Sequence, residues 1–451
     1  MPSKSRRAIL ASLGASLTAL AGCSSAESPA NTTTRRSTVR PTTAETTDAA
    51  ARTTTAAIPM TGPPPEGAAP FDDAVPDLMD QWDLSGGAVA VMHEGRLVFT
   101  RGYGYADREA RTPVQPTSLF RIGSISKPLT AVGTLSLVED DALSLDDRAF
   151  DILSELVPED GPADARMSDI TVRQLLRHTA GFDTRQWGFD PMFAPARVAA
   201  EQGVDSPASV EATIRFVLDR DLGFDPGSAF AYSNVGYCIL GRVLKAVTEQ
   251  SYERAIRETV FSPLGIDRMQ IGGTRQSGLL PEEVRYYGHQ TVDSPFPDQG
   301  EVPRPYGSAH LRTNAADGGW VGSTADILRF VRGVDRRSGT PDILQPDTLD
   351  RMTERPDLSQ WADAPQFYGM GWYVVPNDGT TPPSLWHNGS LPGSYSFLLH
   401  RADADLTLAA LFNSRPPDQQ FAQFNAAAQQ SLIQTLGAVE NWPDGDRFGK
   451  L

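Results

Sequence analysis

The chain has 451 residues, 40% of them apolar and 21% charged, with a formal net charge of −16. That length and apolar content support a large hydrophobic core, while the acidic balance argues against nucleic acid or anionic lipid as partners. Two cysteines, Cys23 and Cys238, allow at most one disulfide.

The N-terminus reads as an address. Ser5-Arg6-Arg7 precedes an apolar run from Ala8 to Ala21 that closes on Leu20-Ala21-Gly22-Cys23. A basic start, a short apolar stretch and small residues before a cleavage point describe an export signal over residues 1–23, too short for a membrane span. The paired arginines resemble a twin-arginine signal, and the Leu-Ala-Gly-Cys end resembles a lipoprotein signal with Cys23 as the lipidated residue. A lipidated Cys23 leaves Cys238 unpaired, so the exported body must hold together by packing alone. Residues 24–69 are rich in Thr, Ala, Ser and Pro and almost free of large apolar side chains. Such a stretch cannot offset its chain entropy and is expected to be a disordered tether. Membrane association is then expected through the lipid anchor only, at the cell surface or facing the periplasm.

The globular body is expected over 70–442. Asp72 to Trp82 has the spacing of an amphipathic helix. Gly87–Met92 and Arg96–Arg101 are apolar, β-branched runs flanking His93-Glu94-Gly95, a hairpin pattern. Ala106 to Thr117 reads as a loop. Ser124-Ile125-Ser126-Lys127 follows Phe120-Arg121-Ile122-Gly123 and is itself followed by Pro128. Lys127 is one of only four lysines, with Lys4, Lys245 and Lys450. A serine and a lysine three apart share one side of a helix, so the amine can draw the hydroxyl proton. Pro128 is tolerated only in a first turn, which puts Ser124 at a helix N-terminus, where developing negative charge is favoured. Leu129 to Val138 continues with helical periodicity.

The middle of the chain is mostly helical and loop-like. Within it, Tyr232-Ser233-Asn234 lies between the Phe224-Asp225-Pro226-Gly227 turn and a helical run, Val235 to Val247. The tyrosine is a candidate proton carrier, and Asn234 offers a donor and an acceptor to orient lysine or substrate. Near the C-terminus stands Trp386-His387-Asn388-Gly389-Ser390. Gly389 permits close approach of a substrate to the backbone, and the next N–H, that of Ser390, is a candidate oxyanion donor. Ser394–His400 and Leu406–Phe412 read as strands, and Gln419–Leu436 as a final helix. Strands at both ends and helices between imply an α+β fold: one antiparallel sheet built from both chain ends, flanked by helices, with a large helical insertion.

Serine-x-x-lysine, tyrosine-x-asparagine and histidine-x-glycine in this order resemble the serine β-lactamase and penicillin-binding protein superfamily, nearest its class C β-lactamase-like hydrolases. Leu175-Leu176-Arg177-His178-Thr179-Ala180-Gly181 and Gly318-Gly319 before Ser323-Thr324-Ala325-Asp326 carry the likeness across most of the body. The resemblance implies a β-lactamase/transpeptidase-like fold and an ester or amide substrate cleaved through an acyl-enzyme on Ser124. It further implies that Lys127 and Tyr232 share general-base and general-acid duties, the division between them left open. The backbone N–H groups of Ser124 and Ser390 would form the oxyanion hole. Asn234, His387, Asn388 and Gly389 would bind substrate, and His178 would belong to a structural loop. Where many β-lactamases carry lysine-threonine-glycine, this chain has His387, Asn388 and Gly389, which resembles esterases and D-amino-acid amidases or peptidases. The alternative within the superfamily is a penicillin-binding or sensing module with slow or no deacylation.

An α/β-hydrolase would require a glycine-x-serine-x-glycine elbow, absent here. The six histidines, His93, His178, His289, His310, His387 and His400, show no metal-ligand spacing, so no metal or cofactor is expected. Arg275 to Arg312 is a candidate rim or lid, and Trp187, Trp320 and Trp386 are candidate aromatic lining. Nothing in the sequence specifies an oligomeric state.

Overall fold

The computed structural model describes residues 57–64, 67–337, 342–377, 379 and 381–450. The export signal, Cys23 and most of the 24–69 tether lie outside the described residues.

Within the described residues the chain enters as a short strand β1 (Met60–Thr61), then helix α1 (Pro70–Gln81), strands β2 (Gly86–His93) and β3 (Arg96–Asp107), and strand β4 (Phe120–Arg121). A single 3₁₀ turn, Gly123–Ile125, runs directly into helix α2 (Ser126–Glu139). Helices and loops follow, among them α3 (Asn234–Thr248). Short strands β5 (Gln270–Ile271) and β6 (Trp320–Gly322) precede helix α4 (Thr324–Val331). The last part supplies β7 (Phe367–Tyr368), β8 (Tyr373–Val375), β9 (Ser384–Leu391), β10 (Ser394–Arg401), β11 (Leu406–Phe412) and helix α5 (Asp418–Ala438).

The main sheet runs β1-β3-β2-β11-β10-β9-β8-β7 with antiparallel neighbours. β2 and β11 join the two chain ends in register, from Leu406 opposite His93 to Phe412 opposite Gly87. The α+β architecture expected from the strand and helix distribution is the observed one. β2 reads as an unbroken apolar run because both its faces are covered. Val89 and Val91 pack with Phe71, Leu78, Phe424 and Leu432 of α1 and α5 on one face. Ala88, Ala90 and Met92 face the helical insertion, with Leu129 and Val132 of α2 and Val243 of α3 in the same core. α2 is apolar nearly all round because it lies inside that second layer.

Three boundaries differ from expectation. The folded part begins ahead of residue 70: Met60 and Thr61 pair with Tyr103 and Gly102 as an edge strand, and Arg101 donates to the Gly62 carbonyl at 2.7 Å. It also runs past 442, since the Leu97 N–H donates to the Asp446 carboxylate, the Leu97 carbonyl accepts from the Arg447 N–H, and Phe448 is buried. β3 extends through Asp107 into the expected loop, where Thr112–Pro113 pairs back on it. In each case short segments of ordinary composition gain order from a sheet edge or core that already exists.

Candidate active site

A second, smaller sheet, β4-β6-β5, delivers the serine. β4 ends at Arg121, Gly123 turns with φ +53°, and Ser124 sits in the 3₁₀ turn at the start of α2. The turn is braced from beneath. The Arg121 guanidinium is buried between the rings of Tyr286 and Tyr306 and donates to the carbonyls of Pro305, Gly273 and Thr274 at 2.6, 2.9 and 3.2 Å. Glu283, also buried, is 3.8 Å from Arg121 Nε. Arg121 thereby ties the serine's lead strand to the 275–312 segment. That segment's Pro305 packs on Gly393, in the turn just after Ser390 and Leu391, while its Arg304 is paired with Asp418 of α5. The expected rim is therefore a fastened wall beside this turn.

Lys127 is wholly buried, and its Nζ lies 3.0 Å from Ser124 Oγ, 2.7 Å from Asn234 Oδ1 and 2.8 Å from the Asp317 carbonyl oxygen. Ser126, between the two, turns its Oγ toward the Trp320 N–H instead. The Tyr232 phenol stands beside the Ser124 side chain, and its ring lies 4.9 Å from Lys127 Nζ. Burial lowers the Lys127 pKa to about 8, against the opposing pull of Asp317 and Asp190. Burial raises that of Tyr232, the neighbouring Ser124 side chain countering only in part. Asn234 caps this arrangement from the first residue of α3, whose N-cap is Ser233.

β9 presents the third segment. Its alternation puts Leu385, His387 and Gly389 toward the insertion and Trp386, Asn388 and Ser390 toward α1 and α5. A Cβ on Gly389 would stand on the Ile122 carbonyl and 2.9 Å from the Ser124 N. One on Gly123 would stand 2.8 Å from the Ser390 N. Two glycines thus let the backbones of Ser124 and Ser390 approach closely. Ser390 pairs with Tyr395 next to the turn-closing pair Leu391–Ser394. By antiparallel alternation its N–H points away from β10, on the side where β8 has already ended opposite Trp386.

Several expected ligands of a substrate are placed otherwise. Asn388 faces α5 and donates to Asn425 Oδ1 at 3.0 Å, because a strand turns successive side chains to opposite faces. Trp386 lies in the α5-side core, stacked on Tyr373 with centroids 4.2 Å apart, and Trp320 is fully buried against Phe261. Trp187 is half-buried and donates to the Asp221 carbonyl at 3.1 Å. His387 does face the serine side, yet it is buried, and its Nδ1 is 2.6 Å from the Asn388 carbonyl, which can only accept. The proton therefore sits on Nδ1, and Nε2, 3.2 Å from the Tyr368 hydroxyl, has none to offer a carboxylate. Burial and the nearby Lys127 lower the His387 pKa to about 3, so the ring is neutral. His178 packs on the rings of Tyr232, Tyr237 and Tyr368, and its Nδ1 accepts from the Ser233 N–H at 3.2 Å.

Two carboxylates near the lysine had no sequence signal. Asp190 Oδ2 accepts from Asn234 Nδ2 at 2.7 Å. Asp317 is buried, and desolvation raises its pKa to about 7 despite Lys127. Both lie in loops without a helical or strand period that would have aimed them. A surface concavity of about 470 Å³ between α1 and β3 is lined by Met79, Asp83, Ser85 and Arg108 and by none of these residues.

A sequence model of the family described as Beta-lactamase matches residues 71–432. The chain belongs to that family. Penicillin-binding protein 4 of Amycolatopsis lactamdurans is 28% identical to it over 76% of this chain and 86% of its own length. Esterase EstB of Burkholderia gladioli is 28% identical over 68% of this chain and 78% of its own. The solved D-amino acid amidase of Ochrobactrum anthropi superposes with a TM-score of 0.60 at 23% identity, covering 82% of this chain and 97% of that one, a likeness of fold. The protein is a β-lactamase-related serine hydrolase with the β-lactamase/transpeptidase-like fold.

Proposed function

We propose that this hydrolase cleaves an uncharged ester or amide through an acyl-enzyme on Ser124. The observation that carries the proposal is the buried Lys127 amine 3.0 Å from Ser124 Oγ, with its other contacts made to oxygens. Neutral Lys127 takes the Ser124 proton as Oγ bonds to the substrate carbonyl carbon. The N–H groups of Ser124 and Ser390 receive the developing oxyanion. Protonated Tyr232, in contact with Ser124, passes a proton to the departing oxygen or nitrogen as its bond to carbon breaks. Water then attacks the acyl-enzyme by the same groups in reverse, returning acid and serine. Lys127 is the favoured base because burial moves its pKa toward neutrality, whereas burial moves the Tyr232 phenol away from it.

Substrates with a carboxylate next to the scissile bond fit poorly, since His387 supplies neither charge nor donor. The penicillin-binding reading is favoured by the names of two relatives, that of Amycolatopsis and penicillin-binding protein 4* of Bacillus subtilis. Hydrolysis of a short-chain nitrophenyl ester and a chromogenic cephalosporin, by wild type and Ser124→Ala, separates the readings. Ester turnover lost in the variant, with little cephalosporin turnover, is the expected result. A single stoichiometric burst with both would establish a trapping module, and turnover surviving in Ser124→Ala would remove the nucleophile.

The export reading is retained as part of the proposal: a lipid on Cys23 tethers the enzyme through the Thr-rich segment. Membrane fractionation of Cys23→Ser tests it, release being expected and continued retention being contrary.

A further inference from the structure

A neutral amine has two N–H donors and one lone pair. Around Lys127 Nζ, Asn234 Oδ1 and the Asp317 carbonyl can only accept, so they take both N–H groups and leave the lone pair facing Ser124 Oγ. The aim of the base depends on which way round the Asn234 amide lies. Turned by half a rotation, it would present its NH₂ to the amine and compete with Ser124 for the lone pair.

Asp190 removes that alternative. Its Oδ2 accepts from Asn234 Nδ2 at 2.7 Å, and its Oδ1 accepts from the Met192 N–H at 2.9 Å, which holds the carboxylate in place. A carboxylate has no donor for the amide oxygen, so only one amide orientation matches donors to acceptors on both sides.

We propose that Asp190 is a positioning residue for acylation, holding the Asn234 amide so that its oxygen faces Lys127 and the amine lone pair faces Ser124. The proposal rests on the Ser124–Lys127 reading above. Asp190 acts through Asn234, 44 positions along the chain, and touches neither the nucleophile nor the base directly.

The test is a double-mutant cycle read by the second-order rate at which a fluorophosphonate labels Ser124. Asp190→Leu, which removes both acceptor and charge, should slow labelling about 10- to 100-fold, the worth of one charge-assisted hydrogen bond. Asn234→Ala removes the amide. The double variant should be no slower than Asn234→Ala alone, and losses that multiply would overturn the proposal. So would wild-type labelling by Asp190→Leu. Asp190→Asn keeps an acceptor oxygen and should label faster than Asp190→Leu.

A purely structural role would leave the pH profile in place. The charged or titratable groups around Lys127 are Asp190, Asp317, His178, His387, Tyr232 and Tyr237. Removing the Asp190 charge should move the acidic limb of labelling to lower pH in Asp190→Asn. An unmoved limb overturns the proposal. If Asp190→Leu fails to fold by circular dichroism, the cycle is run with Asp190→Asn. Labelling that persists in Ser124→Ala would instead overturn the underlying reading, which keeps the two failures apart.

Discussion

Tyr232→Phe separates the two proton carriers, because it deletes the phenol and leaves the ring that packs on His178 and Lys127. At pH 7 a Lys127 with a pKa of about 8 is neutral about one time in ten, a cost of about 1.4 kcal/mol for the base to be ready. Tyr232 starts from an ordinary value near 10 and is raised from there, so its phenolate costs at least about 4 kcal/mol. The difference, more than about 2.5 kcal/mol, makes lysine the cheaper base by roughly 100-fold or more. Tyr232 is then needed where a proton must reach the leaving group. An activated aryl ester releases a phenolate that requires none, whereas an anilide of the same acyl group does. Pre-steady-state acylation should fall by less than about 10-fold for the ester and by about 10²- to 10⁴-fold for the anilide. Lys127→Met should lose both. Ester acylation as low in Tyr232→Phe as in Lys127→Met would make the tyrosine the base and refute the assignment.

Acylation should rise with pH and level off above about 8, because only the neutral form of Lys127 accepts the Ser124 proton. A limb that tracks an ordinary lysine near 10.4 would contradict the burial argument. His387→Lys should move the same limb to lower pH, since a second buried cation disfavours charge on Lys127, and should raise acylation by carboxylate-bearing β-lactams. No change in either would mean that position 387 does not face the reacting groups. Gly389→Ala sets a methyl against the Ile122 carbonyl and 2.9 Å from the Ser124 N, so acylation should fall by at least about 10²-fold, the loss of one oxyanion donor. Near-normal rates there would show that β9 and the serine turn are not closely apposed.

Local patterns were legible because their physics is local. α1, α2, α3, α5 and strands β2, β3, β10 and β11 each carry a periodicity or punctuation of their own, and the structure forms all of them within a few residues of the expected spans, apart from the longer C-terminal end of β3. Ser124 and Lys127 meet because three residues along a helix return to one side. What escaped was the phase of β9. Alternation says that His387 and Asn388 face opposite ways, but which one faces the serine depends on which layer covers each side of the sheet. Only that assignment sent Trp386 into the α5-side core and Asn388 to Asn425.

By itself, then, the sequence determined the kind of chemistry and the elements that carry Ser124 and Lys127. The tertiary structure decided the lysine's surroundings. Its three oxygens come from the serine turn, from Asn234 at a separation of 107 residues and from Asp317 at 190. Asp190 and Asp317 sit in loops whose residues have no period to read, and contacts across such distances exist only once the helical insertion has closed over the sheet built from both chain ends.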